Sequence, residues 1–261
     1  MHGTWLKVPE ERRLVERHAR DRGERVIHCD THDDMCECAS NTMVRTIVTD
    51  LDAWPPGGAY EVARRLAERP DPIVLHAMHR LTPRAIDELR VLARTDVDVR
   101  PAYRPYHSLG DTLEDHPVTA LPCATMAILR RLVRLLGDDV ATVVVASIVL
   151  GERDVTERSL ARALAISERA LRAWLHMAKL PPYGELIRTI RVAHALYRMD
   201  VLGLSSAAAA HGAGLGGARS LENTVRRYTG RTPRQLIAAG GFDRYVCQIE
   251  EWFACRRRNV D

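Results

Sequence analysis

The strongest constraint on the fold of this chain is a pattern that occurs twice beyond Asp154: a short helix, an abrupt break, then a helix with one apolar and one polar edge. In the first copy, DVTERSLARAL opens with Asp154 and Glu157 spaced as a capping box, and Ala165-Ile166-Ser167 interrupts it. Ser167 stands where an N-cap belongs, ahead of ERALRAWLHMA. Leu171 and Leu175 share one edge of that helix, while Arg169, Arg172, Ala173 and His176 recur at i, i+3, i+4 and i+7 on the other. In the second copy Ser205 opens SSAAAAHG as its cap, Gly214-Leu215-Gly216-Gly217 makes the break, and ARSLENTVRRYTG follows. There Leu221, Val225 and Tyr228 point inward and leave Arg219, Glu222, Asn223 and Arg226 in an outward row. Between the copies, Pro181-Pro182 opens a long helix, YGELIRTIRVAHALYRM, with a core stripe of Leu186, Ile190, Ala193 and Leu196.

The stretch from Thr156 to Ile237 resembles the DNA-binding domain of the AraC/XylS regulators. Most of the resemblance lies in LSSAAAAHGAGLGGARSLENTVRRYTGRTPRQLI, which carries that family's order of helix, Gly-apolar turn, recognition helix and closing G-x-(T/S)-P segment. It implies two helix-turn-helix units, joined by a rigid helix, that present recognition helices to neighbouring major-groove faces of one duplex. By position it implies Arg169 and Arg172 as base readers in the first unit and Arg219, Glu222 and Asn223 in the second. His176 lies on the same polar edge, and Arg226 and Arg227 are expected at phosphates. The chemistry suits these roles, since Arg pairs with guanine O6 and N7, Asn with adenine, and Glu accepts from cytosine N4, each good pair discriminating by roughly 1–3 kcal/mol. Ala173 and the small helix SSAAAAHG depart from the family's pattern.

Charge is distributed to match. From Gly151 onward there are 18 Lys and Arg against 11 Asp and Glu, and before it 20 against 23, so the positive charge is concentrated where a polyanion would bind. Nearly all of it is Arg, whose planar fork suits phosphates and guanine edges. The expected partner is double-stranded DNA; a homodimer, and RNA polymerase or another protein, are open as further partners. No apolar run approaches the length of a membrane span and the start lacks a signal-peptide core, so no membrane partner and a cytoplasmic location are expected. The six cysteines, at 29, 36, 38, 123, 247 and 255, accordingly read as reduced thiols.

Residues 25–103 alternate short apolar runs (VIHC, VRTIVTDL, PIVLHA, DVRPAY) with helical stretches (AYEVARRLAE, TPRAIDELRVLAR), which predicts βα units and a mainly parallel sheet. The run IVTDLDAWPPGGAYEVARRL, then PIVLHAMHRLTP and YRPY, is similar to the second half of a response-regulator receiver. That similarity puts Asp50 at the phosphoacceptor position, His76 in place of Ser/Thr, and Arg104-Pro105-Tyr106 in place of Lys-Pro-Phe. With VIHC as first strand, one strand-helix unit would be missing, and only Asp30, Asp33 and Asp34 could supply an acidic cluster; a degenerate receiver-like module for regulation or dimerisation is therefore expected. The predicted fold is α/β plus all-α: a helical segment at 1–24, a receiver-like α/β domain at 25–117, connecting helices at 118–152, a double helix-turn-helix domain at 153–239 and a C-terminal helix at 240–261.

Two alternatives stand beside the regulator. His28, Cys29, His32, Cys36 and Cys38 could form a zinc or redox sensor, although C-x-C is not the usual C-x2-C knuckle; a strand end followed by a short helix with buried cysteines is the plain reading. A protein-binding adaptor that kept the helix-turn-helix fold but lost DNA affinity is the other. No nucleophile elbow, phosphate loop or H-E-x-x-H motif is present, so the chain reads as a non-enzyme with no cofactor.

Overall fold

A computed structural model describes residues 1–79, 82–95, 97–103, 126–128, 130–132, 136, 138–150 and 155–258. The chain divides into two compact units, Met1–Met126 and Ala127–Asp261.

The first unit is built on a five-stranded sheet in the order β2-β1-β3-β4-β5, parallel throughout. Its strands are β1 (His2–Trp5), β2 (Val26–His28), β3 (Thr46–Asp50), β4 (Val74–His79) and β5 (Asp98–Tyr103). Helices α1 (Pro9–Asp21), α2 (His32–Ser40), α3 (Gly58–Ala67) and α4 (Pro83–Ala93) join successive strands. This order is the doubly wound arrangement of flavodoxins and response-regulator receivers, with its switch point between β1 and β3. The parallel α/β domain expected from the alternating runs is present, and each strand expected beyond Arg25 is found. Pro101 is accommodated because β5 is an edge strand among the described ones.

Residues 1–24, expected as a helical segment ahead of the domain, instead supply an interior strand and the first helix. His2-Gly3-Thr4-Trp5 pairs with Val26-Ile27-His28 on one side and Thr46–Thr49 on the other, and all four residues are buried. The strand-helix unit thought missing is thus supplied by β1 and α1. Gly3 is needed there, because a Cβ at that position would collide with the Cys38 sulfur.

Alternation along the strands builds two cores. Val48 and Met78 face α1 and form a cluster with Leu6 and Val15, flanked by Leu14 and Val26. On the other face Ile47, Leu75 and Val99 are buried register partners. Two side chains brace that layer. Glu88 of α4, buried, accepts from the backbone N–H groups of Gly57 (2.9 Å) and Ala59 (2.8 Å) at the start of α3. Arg69 donates to the carbonyls of Ala39 (3.1 Å), Asn41 (2.5 Å), Thr42 (3.4 Å) and Val44 (2.7 Å), satisfying the end of α2 and the turn into β3.

The second unit is helical among its described residues: α5 (Asp138–Leu150), α6 (Glu157–Ala163), α7 (Glu168–Met177), α8 (Tyr183–Asp200), α9 (Ser206–Gly212), α10 (Ala218–Thr229), α11 (Pro233–Ala238) and α12 (Gly241–Arg258). The expected stripe of Leu186, Ile190, Ala193 and Leu196 is buried, and α8 packs against α5, α9, α10, α11 and α12. Apolar α5 is buried along Val143–Ala146, as its composition predicts. His194 of α8 is fully enclosed, and its pKa falls to about 3 through burial first and the Arg198 charge second.

Candidate nucleic-acid interface

The pairs α6–α7 and α9–α10 follow the same local backbone path to the close of the first helix, after which the second turn is one residue longer and enters α10 through Gly217 without a side-chain cap. A hydroxyl caps each scaffold helix: Thr156 accepts from Ser159 N (3.1 Å) and Ser205 from Ala208 N (3.3 Å). Each scaffold helix closes with the paired bonds of a Schellman motif. Ala165 N donates to Arg162 O and Ile166 N to Ala161 O; nine residues beyond each cap the second copy repeats this, with Gly214 N to His211 O and Leu215 N to Ala210 O. The left-handed residue is Ala165 (φ 54) in the first and Gly214 (φ 67) in the second. Ser167 caps α7 through Ala170 N, as the sequence predicts. Gly230 (φ 68) ends α10, and a Thr232/Gln235 capping box opens α11, which accounts for the closing G-x-T-P segment.

The capping box at α6 is formed by Thr156 and Ser159 rather than by Asp154 and Glu157; Asp154 lies outside the described residues. The shift matters, because Glu157 becomes the first helical residue and its carboxylate reaches Arg172.

The second helix of each pair buries its apolar edge, Leu171 and Leu175 in α7 and Leu221 and Val225 in α10, with Tyr228 half-buried. Arg169, Arg172, Ala173 and His176 are exposed on α7; Arg219, Asn223, Arg226 and Arg227 are exposed on α10, and Glu222 is half-exposed. The polar rows read from the sequence are therefore at the surface, each on its own helix. Their electrostatics differ. Arg172 is held by Glu157 (2.6 Å) and Glu168 (3.3 Å), which raise its pKa above the ordinary guanidinium value. Glu222 and Arg226 pair with each other at 3.0 Å. Arg169 and Arg219 enter no ion pair among the described residues. The Glu168/Arg172 pair is legible as an i,i+4 spacing, whereas Glu157, fifteen residues from Arg172 in sequence, leaves no such signal.

In the first unit, Asp50 ends β3 with a side chain only 2% exposed, and its carboxylate accepts from Asp52 N at 3.1 Å. Met78, not His76, is its register partner on β4; His76 lies one pleat deeper, opposite Val48. Leu6 and Lys7 follow β1, Asp30 pairs with Arg12 (3.2 Å), and Asp34 caps α2. No carboxylate cluster of the kind that holds Mg²⁺ gathers around Asp50 among the described residues. Arg104, Pro105 and Tyr106 lie outside them.

The histidines and cysteines are divided by the sheet. His28 and Cys29, being consecutive on a strand, point to opposite faces. His28 pairs with Glu16 of α1 at 3.0 Å, while Cys29 turns toward Cys38. Cys36 stacks on its own helix neighbour His32 at 3.7 Å. Hydrogen bonding to Cys38 and burial push the Cys29 thiol up, and burial raises Cys36, while the same bond lowers Cys38, so two of the three thiols resist becoming thiolates. Among the described residues no three His, Cys, Asp or Glu side chains are placed to hold a metal.

No family model matches the chain, and no curated protein does. Among solved structures it is similar to full-length FixJ from B. japonicum, with 14% identity over 78% of this chain and 98% of that one, at a TM-score of 0.30. No helix among the described residues is long and apolar enough to cross a membrane.

Proposed function

We propose that this chain is a sequence-specific DNA-binding transcription regulator of the AraC type, reading a duplex with α7 and α10. The observation that carries the reading is the repetition itself: two helix pairs with a hydroxyl cap, the same Schellman closure and an exposed polar row, in one compact unit where α8 packs on the second pair and α5 on the first. A solvated helical bundle needs charge on its surface, but it does not need the same turn twice. Arg169, Arg172, Arg219, Glu222 and Asn223 are the base readers, His176 completes the α7 edge, and Arg226 and Arg227 contact phosphates. The first unit serves as a receiver-like module for regulation or assembly without aspartyl phosphorylation, since Asp50 is enclosed and no metal-holding cluster gathers there among the described residues. Acetyl phosphate should therefore give no Phos-tag shift that depends on Asp50.

Selection of bound sequences from random double-stranded DNA tests the proposal. A single enriched motif is expected, with affinity falling steeply as salt rises. Arg227→Ala should weaken binding to all sequences alike and lower the salt slope by about 1. Failure to retain any duplex at low ionic strength would end the regulator reading and favour a protein-binding adaptor, a role that the internally paired Arg172 and Arg226 would suit.

A further inference from the structure

A cavity of about 190 Å³ opens between α8, α10 and α12, behind the polar row of the second recognition helix. Its walls include Thr189 of α8, Tyr228 of α10, and Tyr245, Gln248 and Trp252 of α12, with Arg227 at its edge. Three aromatic side chains around one small space make an apolar slot for a flat molecule. The Tyr228 and Trp252 rings touch in a tilted arrangement, centroids 5.9 Å apart at 53°, and together form one wall of the cavity. Cavities of about 150 Å³ admit benzene, so this one has room for a single six-membered ring with a small substituent.

Two polar atoms in these walls lack what they need. Tyr228 Oη and Gln248 Oε1 are shielded from solvent and meet no hydrogen-bond partner among the described residues. Their neighbour Tyr245 is committed, donating to the Thr189 carbonyl at 3.5 Å. Leaving a buried hydroxyl and a buried amide oxygen unpaired costs about 1–3 kcal/mol each, so a native protein supplies them with partners. A hydroxyl wants an acceptor and an amide oxygen wants a donor.

We infer that this cavity is a binding site for a single-ring aromatic molecule whose edge carries a hydrogen-bond acceptor beside a donor, as an amide or lactam does. The ring occupies the cavity against the wall formed by Tyr228, Tyr245 and Trp252, the acceptor takes the Tyr228 hydroxyl, and the donor meets Gln248 Oε1. The site involves none of the proposed base readers, so it stands or falls apart from the DNA reading.

The test uses the full chain labelled with 15N-tryptophan, titrated with benzamide as probe and with toluene as the matched ring lacking the polar edge. The indole resonance that disappears in Trp252→Phe is expected to move on millimolar benzamide, with the resonances of Trp5 and Trp54 unmoved, and to respond much less to toluene. Tyr228→Phe and Gln248→Met should each weaken benzamide binding about tenfold. Tyr228→Phe should leave the melting temperature of the ligand-free protein unchanged or raised, because its hydroxyl has no partner to lose; this separates a binding role from a structural one. No shift at Trp252, an equal response to toluene, or undiminished binding by both variants would overturn the inference and leave the two atoms to ordered water.

Discussion

The two helix-turn-helix repeats share a backbone path to the close of the first helix but not a composition. At matched positions the first buries Leu160 and Leu164 where the second has Ala209 and Ala213, and it uses Ala165 for the left-handed turn where the second uses Gly214. The first repeat thus has more apolar bulk under its scaffold helix but a strained turn; the second has a relaxed turn over a thinner core. Their polar rows differ in the opposite sense. Arg172 is already neutralised by two carboxylates, while Arg219 is unengaged by any. A fold can evidently keep one path with quite different distributions of stabilising energy along it, and the repeat with the better-filled core is the one whose guanidinium must first let go of its own protein.

The largest effect is expected from acid. Helix α8, which carries the enclosed His194, packs directly on the second repeat and reaches the first through α5. Since that histidine has a folded-state pKa of about 3, the unfolded chain takes up its proton first. Its contribution is therefore complete above about pH 6.5 and declines as pH falls toward 3, by up to about 1.4 kcal/mol per pH unit. His194→Leu should flatten this slope in urea titrations, and hydrogen exchange should show α7 and α10 loosening together; loss of one repeat well before the other would mean that α8 is not their common support.

Next in size is the core. Leu160→Ala makes the first scaffold resemble the second and is expected to cost about 2–4 kcal/mol. Ala209→Leu should cost about 1–3 kcal/mol by overpacking. If it proved stabilising instead, the second repeat would hold space that the contrast drawn above does not allow.

Binding comes third. Arg219→Ala should lower affinity for a selected site by about 10- to 100-fold and relax one base position. Arg172→Ala should cost less, because the cost of leaving Glu157 and Glu168 already offsets part of what the arginine contributes. Equal losses in a gel-shift titration would erase the distinction, and no loss in either would refute both assignments. The smallest effect is at the turns: Ala165→Gly is expected to stabilise by about 0.5–1 kcal/mol, and Gly214→Ala to destabilise by about 1–2 kcal/mol, read from chemical denaturation midpoints.

What could be read from the sequence follows from how locally each feature is encoded. The helices of the second unit announce themselves because leucines at i and i+4 sit between cap residues, and these signals need no distant partner. Four of the five strands are legible for a similar reason, as apolar runs bounded by turns. β1 is not: His-Gly-Thr-Trp has no apolar alternation and Thr4 as its one β-branched residue, and it becomes a strand because two neighbours pair with it and α1 covers it. The His/Cys cluster misleads for the converse reason, since residues close in sequence are sent to opposite faces of the sheet. The Glu157–Arg172 pair, the Asp50–Met78 register and the cavity beside Tyr228 all depend on chain segments far apart in sequence, and single-strand periodicity carries no trace of them.

Arg69 shows how widely a single fork of donors can distribute responsibility. Because one guanidinium closes off four carbonyls from residues 39 to 44, the order of that connection is stored some twenty-five residues away from it. A lysine there would keep the charge but, as a point donor, could not span all four oxygens. Damage at position 69 would then surface as a loosened entrance to β3, remote from the altered codon, and anyone grafting residues 39–46 onto another scaffold would have to carry their distant clamp along.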